Sequence, residues 1–198
     1  MKSTAGVWLV ALVALGVPGV YAERKAYLID PAHCQINFVG ESLLLSAHGY
    51  FERWEGDFQI DREKLENSSV SITIDATSLN TRVQARDNHL RSKDFLDVAN
   101  FPQIKFVSTG ISKVDDKNYI VAGNLTLHGV ARPVKVPFTI AFLRENDGRF
   151  KGDLKINRWD FGINYNGKMN PVEDMVAIQF DLHLREKPAT APAPPAAR

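Results

Sequence analysis

After Tyr27, apolar side chains recur at every second position in run after run, and no other feature of this chain restricts its fold as tightly. A period of two puts successive side chains on opposite faces of an extended backbone, so each run reads as a strand with one dry face and one wet face. "SVSITIDA" sets Val70, Ile72 and Ile74 against Ser71, Thr73 and Asp75. "VKVPFTIAF" sets Val134, Val136, Phe138, Ile140 and Phe142 on one side, and "MVAIQFDLHLR" opposes Val176, Ile178, Phe180, Leu182 and Leu184 to Gln179, Asp181, His183 and Arg185. Further strands are expected at 34–40, 44–51, 56–61, 104–112, 119–127 and 149–157. The connectors "REKLENSS", "VDDKN", "HGVARP" and "ENDGR" are short and turn-like, which favours antiparallel neighbours. The chain is therefore expected to be all-β, and eight or nine one-sided strands are best satisfied by an antiparallel up-and-down barrel or a sandwich, because an open sheet leaves its edges unpaired. A barrel of about eight strands is either filled by its own side chains or holds one small ligand, and alternation is compatible with both.

One stretch breaks the period. In "SLNTRVQARDNHLRSKDFLDVANFPQIKF", Leu79, Val83, Arg86 and Leu90 share one helical stripe, and Asn80 or Thr81 is placed to cap it. Pro102 forces Phe101 out of helical geometry, so the next strand starts at about Gln103. The spacing predicts a helical connection at about residues 79–97, laid across one end of the barrel. A charge on an apolar stripe needs a partner or a route to solvent, which marks Arg86 and leaves Arg91 as a solvated arginine. Arg86 either meets the polar head of a ligand at the mouth or pairs with a carboxylate and pins the helix to the barrel. Arg158 and Asp160 form the other charged pair expected to be partly buried.

The two ends read differently from the strands. Residues 1–22 have a basic Lys2, an apolar run from Val7 to Val17 and the small-residue pattern of Val20 and Ala22, the build of a cleaved secretory signal. Residues 186–198, rich in Pro and Ala, are expected to be a disordered tail, leaving one domain at 23–185. A protein exported through a cleaved signal, soluble rather than integral, is expected. Without the leader, 23 basic residues face 23 acidic ones, which gives no electrostatic reason to expect nucleic acid. Cys34 has no partner for a disulfide and reads as a structural, half-buried thiol. The five histidines show no metal-ligand spacing; convergence of His33, His89 and His128 in space is the alternative to each satisfying local backbone groups. No metal and no cofactor is expected, and no nucleophile elbow, P-loop or dinucleotide fingerprint occurs.

The segments "YLIDPAHCQINF", "SLNTRVQARDNHLRSKDFLDVANFPQIKFVST", "GNLTLHGVARPVKVPF" and "RWDFGI" together resemble the YceI-like family of periplasmic polyisoprenoid-binding proteins. The chain departs from the family pattern at Cys34, where Ser is usual, at Ala131, where Thr is usual, and in "GESLLLSAHGYFERW", a loose match to the second strand. What the resemblance implies is a lipocalin-like barrel with a helix at one end and an apolar cavity for a long isoprenoid, such as an isoprenoid quinone, or a related amphipathic lipid. It also implies a carrier without catalytic residues, exchanging lipid with a membrane or with a membrane-protein donor or acceptor. The phenylalanine stripe alone fits a packed core equally well; the resemblance turns it toward cavity lining. The ligand-binding residues expected on that basis are Phe38, Phe58, Ile72, Ile74, Arg86, His89, Phe95, Phe106, Leu125, Phe138, Ile140 and Phe161. An enzyme acting on an apolar substrate in the same cavity and a ligand-free interaction module are the alternatives.

Overall fold

The one-sided runs form strands in the computed structural model, which describes residues 24–167 and 170–188. The expected leader and residues 189–198 of the expected tail lie outside the described residues. The strands are β1 (Lys25–Ile29), β2 (Gln35–Ser42), β3 (Ser46–Phe51), β4 (Trp54–Ile60), β5 (Ser69–Asp75), β6 (Leu79–Asn80), β7 (Gln103–Lys113), β8 (Asn118–Leu127), β9 (Val130–Leu143), β10 (Asp147–Asn157) and β11 (Val172–Glu186). All their pairings are antiparallel, and β7 to β11 follow one another as a meander.

Two positions in the barrel are each filled by two strands placed end to end. β1 and β2 lie end to end along β11, with Tyr27 opposite Glu186 and Phe38 opposite Ile178. β3 and β4 continue one another in the same way, β3 pairing with β2 and β4 with β1. Counting each end-to-end pair once, and β5 with β6 as one position, the sheet is a closed eight-stranded antiparallel barrel, accompanied among the described residues by one short α-helix. Closure removes the exposed edges that an eight-strand open sheet would carry.

The helical connection is shorter than its periodicity predicts. Helix α1 runs only from Gln84 to Arg91, and Val83 is its N-cap, with no side-chain cap bond. Leu79 does not join the helix because it pairs with Phe51 in the β3–β6 ladder, and Arg82 takes a left-handed φ of 64° that interrupts any helix before residue 83. Val83 is consequently exposed and Leu79 buried, the reverse of a shared stripe.

Inward residues gather in two clusters. One, around Tyr27, Phe58, Leu65, Phe150 and Leu184, closes the end of the barrel away from α1. The 3₁₀ turn Leu65–Asn67 forms its plug, held by the buried Asp61, whose carboxylate accepts from the amides of Glu63 (3.0 Å) and Lys64 (2.9 Å) and from Asn67 Nδ2 (2.8 Å). The second cluster, around Ile104, Leu125, Ile156 and Phe161, lies toward the α1 end, where Phe95, Leu96 and Val98 pack against it.

Candidate functional site

Between the two clusters the barrel is hollow. The cavity has a volume of about 660 Å³ and a nearly wholly apolar wall drawn from the inward faces of the barrel strands. That lies within the roughly 300–1,000 Å³ of small-molecule sites and far above the ~150 Å³ of a core cavity opened by deleting one large side chain. The choice between a filled barrel and a ligand-sized cavity, which alternation leaves open, is thus decided by the wall.

Cross-strand pairs of phenylalanine and glycine keep the lumen open. Phe38 faces Gly49 across the β2–β3 ladder, Phe180 faces Gly152 across β10–β11, and Phe106 lies beside Gly123. A Cβ added to these glycines would come within 2.3, 2.4 and 2.5 Å of the respective rings, so each ring occupies the space its neighbour's missing side chain leaves free. A ring folded against the wall leaves the centre of the barrel unfilled. Gly40, another wall residue, has no atom within 4 Å of where its Cβ would stand.

The wall residues that remain exposed are Leu45, at the tip of the β2–β3 hairpin, and Ala85 and His89, on α1. The mouth therefore opens between that hairpin and the helix. His89 stands edge-on to both Phe95 and Tyr165, with ring centroids 5.0 Å away in each case, and its Nε2 is 3.1 Å from Asp94 Oδ2. Arg86 also lines the wall, with two of its donors engaged by Thr81: Nε with Oγ1 at 2.8 Å and Nη2 with the carbonyl at 3.0 Å. Arg86 thus pairs with no carboxylate; it bonds the turn that leads into its own helix. Arg158 is 3% exposed and donates to the carbonyls of Ile163 (2.8 Å), Val172 (3.0 Å) and Glu173 (3.0 Å), tying Ile163 to the start of β11. Its carboxylate neighbour is Asp174 at 3.4 Å, whereas the expected partner Asp160 is exposed; burial draws the guanidinium below its usual pKa and Asp174 partly offsets this.

Ten of the twelve residues expected at the site line the cavity: Phe38, Phe58, Ile72, Ile74, Arg86, His89, Phe95, Phe106, Leu125 and Phe138. Ile140 and Phe161 do not. β9 is 14 residues long and outruns the lumen, so Ile140 packs against the closing cluster below the floor and faces a polar surface recess. Phe161 ends the 3₁₀ turn Arg158–Phe161, and the second cluster encloses its ring completely, at 2% exposure. Tyr165 and Asn170 line the mouth without having been singled out, because they sit in an aperiodic loop where nothing in the residue pattern marks a wall position.

His33, His89 and His128 do not converge. His128 Nδ1 is 3.2 Å from the Phe161 carbonyl, and His33 Nδ1 is 3.0 Å from Asp30 Oδ2. A different group, Asp30, His33 and His183, does meet at the break between β1 and β2, away from the cavity. There Arg185 already occupies Asp30 at 2.7 Å, and His33 and Arg185 together hold that carboxyl below its ordinary pKa. The Cys34 thiol bonds the His183 backbone, and burial pushes its pKa up, away from thiolate reactivity.

Residues 27–184, nearly all of the described barrel, match the YceI-like domain. The chain belongs to the YceI-like family. A UPF0312 protein of Pseudomonas syringae pv. tomato is 36% identical over 180 residues, covering 83% of this chain and 92% of that one. A second UPF0312 protein, from Vibrio parahaemolyticus, is 35% identical, covering 87% and 92%. Among solved structures, BcnA of Burkholderia cenocepacia superposes with a TM-score of 0.73 at 28% identity, covering 78% of this chain and 98% of that one. A polyisoprenoid-binding domain from Saccharophagus degradans, implicated in plant cell wall breakdown, shares the fold at a TM-score of 0.65 and 18% identity, covering 83% and 100%. Chemically, this YceI-like barrel offers a long apolar pocket with a few polar groups at the mouth, and the arginines near that mouth already have partners.

Proposed function

We propose that this protein is a periplasmic binding or carrier protein, without enzymatic activity, that encloses a polyisoprenoid or similar long-chain amphipathic lipid. The observation that carries this reading is the apolar cavity of about 660 Å³ open at one end. A chain with about a dozen buried methylenes gains roughly 10 kcal/mol at ~0.8 kcal/mol each, comparable to the ~4–15 kcal/mol that association costs. The lipid must therefore fill much of the cavity to bind well. His89, Tyr165 and Asn170 stand where a polar head would emerge. The likeness to the Saccharophagus polyisoprenoid-binding domain supports the ligand class, and the signal-like residues 1–22 support export. Organic extraction and mass spectrometry of protein purified from its native host should yield one long-chain lipid at close to one per chain. Well-folded protein carrying only trace lipid would refute the carrier reading.

A further inference from the structure

The segment "GESLLLSAHGYFERW", a loose match to the family's second strand, reaches the mouth at Leu45. Leu43 and Leu44 are each 72% exposed and Leu45 is 46% exposed, three consecutive leucines at the tip of the β2–β3 hairpin. We propose that this tip inserts into the surface of a lipid bilayer and sets the cavity mouth against it. The inference rests on the carrier reading for its occupant, since a long-chain lipid insoluble in water resides in a bilayer.

Three observations favour a bilayer over another occupant. The tip is continuous with the cavity: Leu45 belongs both to the exposed tip and to the wall, so a lipid tail leaving the bilayer meets apolar surface from the tip inward. Several of the tip's backbone groups are already paired, as entry into an apolar phase requires. The Ser42 amide and hydroxyl both donate to the Leu45 carbonyl (3.0 and 2.9 Å), the Leu43 amide donates to the Pro171 carbonyl (3.1 Å), and the Leu44 amide donates to Asn170 Oδ1 (3.1 Å). The same bonds hold the turn against the 170–171 segment, so the leucines are presented rather than free to fold back. Finally, Trp159 (44% exposed) and Met175 (43%) lie at the same end, since Asn157 pairs with Met175 where β10 ends and Ser42 pairs with Val172 where β2 ends. An exposed tryptophan at the same end as an apolar tip suits the boundary between lipid tails and head groups, and its indole N–H already has Asp174 as partner. Residues 42–45 carry no charge and the neighbouring Glu41, Glu173 and Asp174 are acidic, so attachment should rest on burial and gain nothing from anionic lipid.

The test is flotation of the full mature chain with vesicles of phosphatidylethanolamine and phosphatidylglycerol, at low and high salt. Leu43→Ser/Leu44→Ser is compared with wild type, and Leu28→Ser serves as control because Leu28, 49% exposed, lies on β1 at the far end. The double variant should lose at least about tenfold in vesicle partition, as expected for several buried CH₂ groups removed, and Leu28→Ser should lose none. Equal partition of double variant and wild type, or no partition of wild type, overturns the proposal. A wild-type dimer in sedimentation velocity that the double variant abolishes would also overturn it, assigning the tip to a second copy. Lipid extracted from each variant separates this from the carrier reading: bound lipid without vesicle partition removes only the docking, and leucine-dependent partition without bound lipid removes only the carrier.

Discussion

Thr81 is the residue on which the entry to α1 turns. Its amide and hydroxyl both donate to Asp87 Oδ1 (2.8 and 2.5 Å), while its hydroxyl and carbonyl accept from Arg86. Thr81 and Asp87 are both buried, so removing the carboxylate strands a buried donor. Asp87→Ala should cost roughly 1–3 kcal/mol in urea unfolding. Arg91 changes the expected ranking of the arginines: its Nε donates to the Thr77 carbonyl at 2.9 Å and its Nη2 to the Leu79 carbonyl, so it is no solvated side chain. Arg86→Ala and Arg91→Ala should therefore both destabilise by about 1–3 kcal/mol, against under about 0.5 for the exposed Lys93→Ala. An Arg91→Ala midpoint indistinguishable from that of Lys93→Ala would mean that those carbonyl bonds do not hold in solution. The acceptors of Arg91 are backbone oxygens, which every residue carries, and this is why its role had no signature in the residue pattern.

At the scale of elements, the strands were legible because their faces differ and their period is strict. The exceptions fall where geometry interrupts the count. A bulge between Ser108 and Gly110 moves the inward series of β7 from Ile104 and Phe106 to Ile111. The sequence itself separates 44–51 from 56–61, but the end-to-end placement of β1 with β2 and of β3 with β4, and the end of the lumen above Ile140, depend on distant pairing, to which local periodicity is blind. The floor turn is another such element, and it is open to test by pH. The Asn67 amide first, and then the backbone amides of Lys64 and Glu63, hold the Asp61 carboxyl below its ordinary pKa. A lowered folded-state value means that this contribution is complete above the unfolded carboxyl's value, about 3.9, and is lost as pH falls through the folded value. Asp61→Asn keeps an acceptor for the backbone amides but turns its own NH₂ group toward the Asn67 donor. It should cost roughly 1–3 kcal/mol at pH 7, and its deficit in unfolding midpoint should shrink below about pH 4. A deficit that is constant from pH 7 to pH 3 would show that ionised Asp61 does not secure the plug.

For the whole molecule, the decisive property is that the barrel is held open by its wall, and this predicts that a core-facing position can accept a large side chain. In a filled barrel, adding bulk to an inward glycine forces rotamers and backbone apart and costs about 1–3 kcal/mol or more. Gly40 stands between Val176 of β11 and Ala47 of β3, in the same inward series as Ile36 and Phe38, and open space lies beyond its missing Cβ. Its backbone is not in the left-handed region that only glycine tolerates easily, so a side chain brings no strain of that kind. Gly40→Phe should fold with a lipid-free unfolding midpoint equal to or above that of wild type, because the new ring gains apolar contact and removes conformational freedom from the unfolded chain. It should also occupy the upper lumen and weaken retention of long-chain lipid by tenfold or more. Ligand-linked stabilisation follows RT ln(1 + [L]/Kd), so added lipid should raise the midpoint of wild type and leave the variant nearly unmoved. The opposite result, a destabilised variant that still gains stability from lipid, would place the ligand elsewhere and make this lumen a packed interior.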